Sequence, residues 1–137
     1  MRLLNKDEIV KLANSYAKAW TAHDGAAVAG HFADHGTAEV NGAEPVKGHA
    51  AIAELTTALF EMFADLHMMC DDIRISGHNA VVTWTFYGHH ADNAKFAKIS
   101  GWEEWTLTDD LKIARSRRWY DPEDLIEQCG EAAAQMN

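Results

Sequence analysis

Apolar residues recur at helical spacing in the first half of the chain and alternate with polar ones in the second. Ile9, Leu12, Ala13, Tyr16, Ala17 and Trp20 form one stripe, while Glu8, Lys11, Asn14, Ser15 and Lys18 fill the opposite face. That spacing predicts an amphipathic helix from about Lys6 to Ala22. "HDG" at 23–25 interrupts it, and Asp24 suits the N-cap of a short second helix carrying Val28 and Phe32, ended by "ADHG". "TAEVNG" reads as a short strand closing at Asn41-Gly42, and "EPVKG" as a loop. A third helix is predicted over 49–63, with Ile52, Leu55, Leu59, Met62 and Phe63 inward.

The period then drops to two. "LHMMCDDIRIS", "AVVTWTFYGHH", "AKISGWEEWTLT" and "LKIARSRRWYD" are four strands, separated by turns at Gly77-His78-Asn79, Ala91-Asp92-Asn93-Ala94 and Asp109-Asp110. Such short connections favour an antiparallel meander. Pro122 ends the last strand and opens a C-terminal helix with Leu125, Ile126 and Cys129 as its apolar positions. Helices segregated from an antiparallel sheet make the class α+β, as a single domain over 1–137. A curved sheet with helices on one face can leave a pocket between the two layers.

One strand contains an anomaly. "ISGWEEWTL" at 99–107 has adjacent glutamates, and strand neighbours point to opposite faces. One carboxyl must share a face with Ile99, Trp105 and Leu107. Alternation selects Glu103, although a bulge at Gly101 would exchange it with Glu104.

A hydrophobic fraction of 47% over 137 residues is enough for a real core, which excludes a largely disordered chain. The net charge of −9 argues against a nucleic-acid partner. The local exception, "RSRR" at 115–118, is read as an ion-pair or interface patch. Two cysteines without a CxxC spacing, Cys70 and Cys129, read as reduced thiols. No stretch approaches the roughly 20 apolar residues of a membrane span, and the N-terminus lacks a signal-peptide core. The expectation is a cytoplasmic protein that meets neither membrane nor nucleic acid.

Three stretches carry a resemblance to a known family. "YAKAWTAHDGAAVAGHFADHGTAEV" (16–40), "PVKGHAAI" (45–52) and "GWEEWTLTDDLKIARSRRWYDPEDLIEQ" (101–128) resemble, in order and spacing, the SnoaL-like branch of the nuclear transport factor 2-like superfamily. The resemblance spans about Lys6 to Gln128. It implies a cone-shaped α+β barrel whose sheet wraps the helices, a homodimer through the outer sheet face, and a cavity for a small apolar molecule. The superfamily includes ketosteroid isomerases, polyketide cyclases, epoxide hydrolases, dehydratases and non-enzymatic proteins, so the fold leaves the chemistry open.

Within that resemblance, Tyr16 falls at the ketosteroid isomerase tyrosine that donates to a developing oxyanion. Glu103 falls where the same family places a protonated aspartic acid. A carboxyl on an apolar face is desolvated and can become a donor; ketosteroid isomerase is the standard example. Two such donors would stabilise an enolate-like charge. The general-base aspartate of that family falls at Val40, with Glu39 pointing the other way, and the cyclase acid–base aspartate falls at Arg118. Asp121 reads as a helix cap. The other reading of Glu103 is structural, a cross-strand pair with Arg115, Arg117 or Arg118.

His90, after the second meander strand, is a third catalytic candidate at the expected cavity mouth. Trp20, Phe32, Val40, Phe60 and Phe63 are candidate pocket residues. So are Trp84, Trp105, Trp119 and Arg118, while Phe86 belongs to the same aromatic set. His31 and His35 stand four apart but lack a third ligand, so no metal and no cofactor are expected. The sequence therefore supports two functions. One is a small-molecule-binding protein, acting as a cofactor-independent isomerase, cyclase, dehydratase or hydrolase on a ketone-like compound. The other is a non-catalytic ligand-binding or dimerisation module.

Overall fold

The computed structural model describes residues 4–130. Helix α1 spans Lys6–Thr21, with Asn5 Oδ1 accepting from the Asp7 amide at 2.7 Å and acidic Asp7 and Glu8 in the first turn. Both features stabilise the positive end of a helix. Its buried stripe is Ile9, Ala13, Tyr16, Ala19 and Trp20. Asp24 caps α2 (Gly25–Gly30) by accepting from the Ala27 amide at 3.0 Å.

Helix α2 is shorter than the apolar spacing predicted. His31 Nδ1 bonds the Ala27 carbonyl oxygen at 2.7 Å, and the His31 carbonyl accepts from the Ile113 amide at 2.9 Å. The chain is thereby handed from helix to sheet, and Phe32 is buried from a strand rather than from a helix. That strand, β1 (Phe32–Val40), runs parallel to the last strand of the sheet, with an irregularity between Phe32 and Thr37. Gly36 sits in the irregular stretch, where a Cβ would lie 2.8 Å from the Ile113 carbonyl oxygen.

After the Asn41-Gly42 turn, both residues at positive φ, the stretch read as a loop supplies a two-residue strand, β2 (Val46–Lys47), antiparallel to β1. Helix α3 spans His49–Met62. The meander follows as expected: β3 (His67–Ser76), β4 (Asn79–His89), β5 (Phe96–Leu107) and β6 (Ile113–Trp119). Helix α4 (Pro122–Cys129) is capped by Asp121, whose Oδ1 accepts from the Glu123 amide at 3.0 Å.

The six strands form one curved, unclosed sheet in the order β2-β1-β6-β5-β4-β3. Pairing of β4 with β5 is continuous from Asn79↔Thr106 to His89↔Phe96, so no bulge occurs at Gly101. The inner face carries Ala80, Val82, Trp84 and Phe86 on β4 and Ala97, Ile99, Glu103, Trp105 and Leu107 on β5, all buried. A Cβ at Gly101 would fall 2.2 Å from the Trp119 carbonyl oxygen and 2.8 Å from the Trp84 ring. Glycine there lets the large indole lie against the strand. Among the described residues no helix is long and apolar enough to cross a membrane.

Candidate functional site

Glu103 is only 1% exposed, and β5–β6 pairing sets it directly opposite Arg118. Its Oε1 accepts from Arg118 Nε at 2.9 Å, from Arg118 Nη2, and from the Tyr16 hydroxyl at 3.3 Å. Its Oε2 accepts from Trp105 Nε1 at 2.6 Å and from the Ser116 hydroxyl at 2.9 Å. Every neighbour donates, so both oxygens act as acceptors, the role of an ionised carboxylate. The structural alternative for Glu103 is the one realised, with Arg118 as its partner. Arg115 and Arg117 point to the opposite face and pair with Glu39 at 3.0 and 3.5 Å. Glu39 thus directs its carboxylate to these arginines, and both it and its neighbour Val40 border an adjacent cavity.

The Arg118 guanidinium lies between two indoles, 4.2 Å from the Trp20 ring centre and 5.0 Å from that of Trp84. Burial is the largest influence on Arg118 and works to lower its pKa, but the charge and hydrogen bonds of Glu103, with Tyr16 and Tyr120 adding to them, together hold the value above the ordinary one. Burial, followed by the negative charge of Glu103, pushes the Tyr16 phenol far above the usual tyrosine range, while Arg118 and Trp20 pull back in part. Tyr16 therefore stays protonated and points its proton at Glu103. Its ring packs edge-on against Trp105 at 5.2 Å and Trp20 at 6.2 Å.

Beside this cluster is a cavity of about 160 Å³. Tyr16, Trp20, Phe32, Val40, Trp84 and Arg118, all singled out from the sequence, meet on its wall. Helix α3 supplies the opposite wall through Ile52, Leu55, Leu59 and Met62. The last three are only partly buried because they face this space rather than packed core. Glu103 is not part of the wall; it sits one layer deeper, behind Arg118 and Tyr16.

Four expected pocket residues are placed elsewhere. Phe60 packs on Trp20 at 5.6 Å and stacks on His23 at 4.9 Å. Phe63 is fully buried against Phe86. Trp105 lies beneath Tyr16, with its N–H committed to Glu103. Trp119 falls on the outer face, stacked on Trp102 at 6.4 Å, because β6 alternation sends Ser116 and Arg118 inward and Trp119 outward. His90 is also absent from the cavity wall. It is 2% exposed, packs on Phe63 at 5.3 Å, and its Nδ1 accepts from the Asp92 amide at 3.1 Å. It organises the β4–β5 turn instead of a cavity mouth.

Sequence reasoning missed Thr56, Ser116 and Tyr120 as wall residues. Ser116 and Tyr120 stand two positions on either side of Arg118, so with Arg118 put in the pocket by the resemblance, a period of two could have found both. His31, weighed as a metal ligand, has both ring nitrogens bonded, to the Ala27 carbonyl and to the Ser15 hydroxyl. Among the described residues no group of three or more His, Cys, Asp or Glu side chains could hold a metal ion.

A curved sheet folded over helices, with a small cavity between the layers and a buried ion pair beside it, defines a protein of the ketosteroid isomerase-like fold. The SnoaL-like domain model matches residues 13–116, and the chain belongs to that family. No curated protein matches it. Among solved structures it resembles a SnoaL-like polyketide cyclase candidate from Jannaschia sp. CCS1 (16% identity, 91% of this chain and 93% of that one, TM-score 0.81). It also resembles a protein of ketosteroid isomerase-like fold from Catenulispora acidiphila, solved with trimethylamine (18% identity, 94% and 97%, TM-score 0.82). A third is SalBIII, an epoxide hydrolase/cyclase-like enzyme of polyether salinomycin formation (18% identity, 88% and 95%, TM-score 0.77). At these identities the likeness concerns the fold.

Proposed function

We propose that this protein binds a small, largely apolar molecule in the cavity between α3 and the inner sheet face, with Tyr16 and Glu103 as the framework of the site rather than a proton-transfer pair. The observation that carries this reading is the saturation of Glu103 by Arg118, Trp105, Ser116 and Tyr16 beside an open apolar cavity. An oxyanion pair needs a Glu103 that donates and a Tyr16 hydroxyl turned to the ligand. Here Glu103 accepts, and the Tyr16 proton is directed at it. This favours the non-catalytic reading over acid–base isomerisation or cyclisation, and it leaves the cavity itself as the functional feature.

Trp20 and Trp84 make the cavity wall fluorescent, so occupancy can be followed by titration with toluene. Wild type, Tyr16→Phe and Glu103→Gln should bind it within about threefold of one another, since the apolar contacts are unchanged. Leu59→Trp, which fills the space from α3, should abolish the response. Toluene binding to Leu59→Trp as tight as to wild type would refute the cavity as the site. Turnover of a ketone or epoxide that is lost in Glu103→Gln, with toluene affinity intact, would restore the enzyme reading.

We also propose that the outer sheet face pairs two copies of the chain. Supporting this, the face leaves Trp102 44% exposed and Val81 39% exposed, and Phe96 is half exposed farther along β5.

A further inference from the structure

We propose that the cavity selects an uncharged, single-ring molecule carrying one hydrogen-bond acceptor, held by Arg118, and that the Glu103–Arg118 pair is what rejects anions of the same size. The inference rests on the cavity being the ligand site. Size comes first. A dry apolar cavity of about 150 Å³ takes a benzene-sized molecule, and this one measures about 160 Å³. A fused multi-ring compound exceeds it.

The polar wall decides the rest. The Tyr16 and Ser116 hydroxyls both spend their protons on Glu103, and the Thr56 hydroxyl bonds the Ile52 and Ala53 carbonyls of its own helix at 3.2 and 3.0 Å. Arg118 presents its Nε–Nη2 edge to a single oxygen of Glu103, while its Nη1 makes no hydrogen bond to any described residue. The guanidinium is clamped between Trp20 and Trp84, whose own indole N–H groups are buried without a hydrogen-bond partner; all three residues line the cavity, and of these donors Arg118 alone is charged.

Charge sets the sign of selectivity. Glu103 already cancels the Arg118 charge, and the Glu39 carboxylate is paired with Arg115 and Arg117. Tyr16 and Tyr120, the other ionisable groups at the wall, have pKa values raised by burial and stay neutral. A carboxylate entering the cavity would lose its hydration with no net positive charge to meet it. A carbonyl, amide or sulfoxide oxygen loses less and still gains the guanidinium N–H.

Three size-matched probes test this on the full chain at pH 7 by calorimetric titration: ethylbenzene, acetophenone and benzoate. Acetophenone should bind about tenfold tighter than ethylbenzene, the worth of one hydrogen bond to a charged donor, and at least about tenfold tighter than benzoate. Glu103→Gln keeps the shape of the side chain but leaves Arg118 uncompensated, so the order of acetophenone and benzoate should reverse. Benzoate binding wild type as tightly as acetophenone overturns the proposal. So does acetophenone binding no tighter than ethylbenzene, or a Glu103→Gln variant with an unchanged acetophenone-to-benzoate ratio. The wild-type series decides by itself should Glu103→Gln not fold. Binding of none of the three, ethylbenzene included, instead removes the cavity as a ligand site and the inference with it.

Discussion

Replacing Glu103 by alanine should be among the most damaging single changes in this protein. The substitution strips Arg118, a residue 8% exposed, of its only carboxylate partner among the described residues while its guanidinium stays between two indoles. It also removes the acceptor for the Trp105 N–H, the Ser116 hydroxyl and the Tyr16 hydroxyl. Breaking a buried ion pair by deleting one partner costs about 3–5 kcal/mol, and the orphaned donors place this case at the upper end. For a domain of this size about 1 kcal/mol moves the melting temperature by about 4 °C, so a fall on the order of 15–20 °C is expected. Glu104→Ala is the matched control. Its carboxylate is 41% exposed and meets Arg117 at 3.8 Å, an arrangement worth less than about 0.5 kcal/mol. Urea and thermal unfolding followed by circular dichroism would give both values. A third variant, Glu103→Leu with Arg118→Met, removes both charges and should recover much of the loss, because a buried pair often exceeds an apolar replacement by little or nothing. Should Glu103→Ala cost no more than Glu104→Ala, the account of the buried cluster is wrong.

Further expectations follow from other parts of the structure. The Tyr16 pKa is raised on folding from its ordinary value of 10.0, so above pH 10 the unfolded chain loses this proton first and stability falls. Tyr16→Phe should therefore flatten the alkaline limb of the stability curve by up to about 1.4 kcal/mol per pH unit, measured by urea unfolding from pH 9 to 11. An equal slope in both proteins would count against a buried, neutral Tyr16. Gly101→Ala drives a methyl group into the Trp119 carbonyl and the Trp84 ring, and should cost more than about 2 kcal/mol in the same assay. Trp102→Glu places a charge on the exposed outer face and should shift sedimentation from dimer to monomer without lowering helix content; a wild type that sediments as a monomer at micromolar concentration would end the dimer proposal.

Much of the fold was readable because its periods are strong. Helix α1 shows a stripe from Ile9 to Trp20, and the meander alternates over four strands joined by short turns, features that depend on local geometry. The errors lie where a long-range contact competes with a local preference. Val28 and Phe32 are four apart and read as one helical face, yet the Ile113 amide takes the His31 carbonyl and turns Phe32 into a strand residue. Val46 and Lys47 have no pattern of their own and become a strand only because Thr37 and Ala38 lie beside them.

The candidate site divides in the same way. Alternation placed Glu103 on the inner face, and the family resemblance placed Val40 and Arg118 at pocket positions; Glu103 is buried on that face, and Val40 and Arg118 line the cavity. Aromatic character did not separate cavity wall from core. Phe60, Phe63 and Trp105 are as apolar as Trp84, and their distance from the open space is set by how α3 crosses the sheet.

By itself the sequence determined the periods of the main helices and strands and that one carboxyl would be buried among apolar neighbours, because period and burial are written locally along each element. Only the tertiary structure decided what that carboxyl meets. The β5–β6 register sets Arg118 opposite Glu103, and the approach of α1 brings Tyr16 within 3.3 Å of the same oxygen. Register and helix approach come from the packing of segments up to 87 positions apart. The chemistry of Glu103, an acceptor held by four residues rather than a free acid, is therefore a property of the assembled sheet and helices.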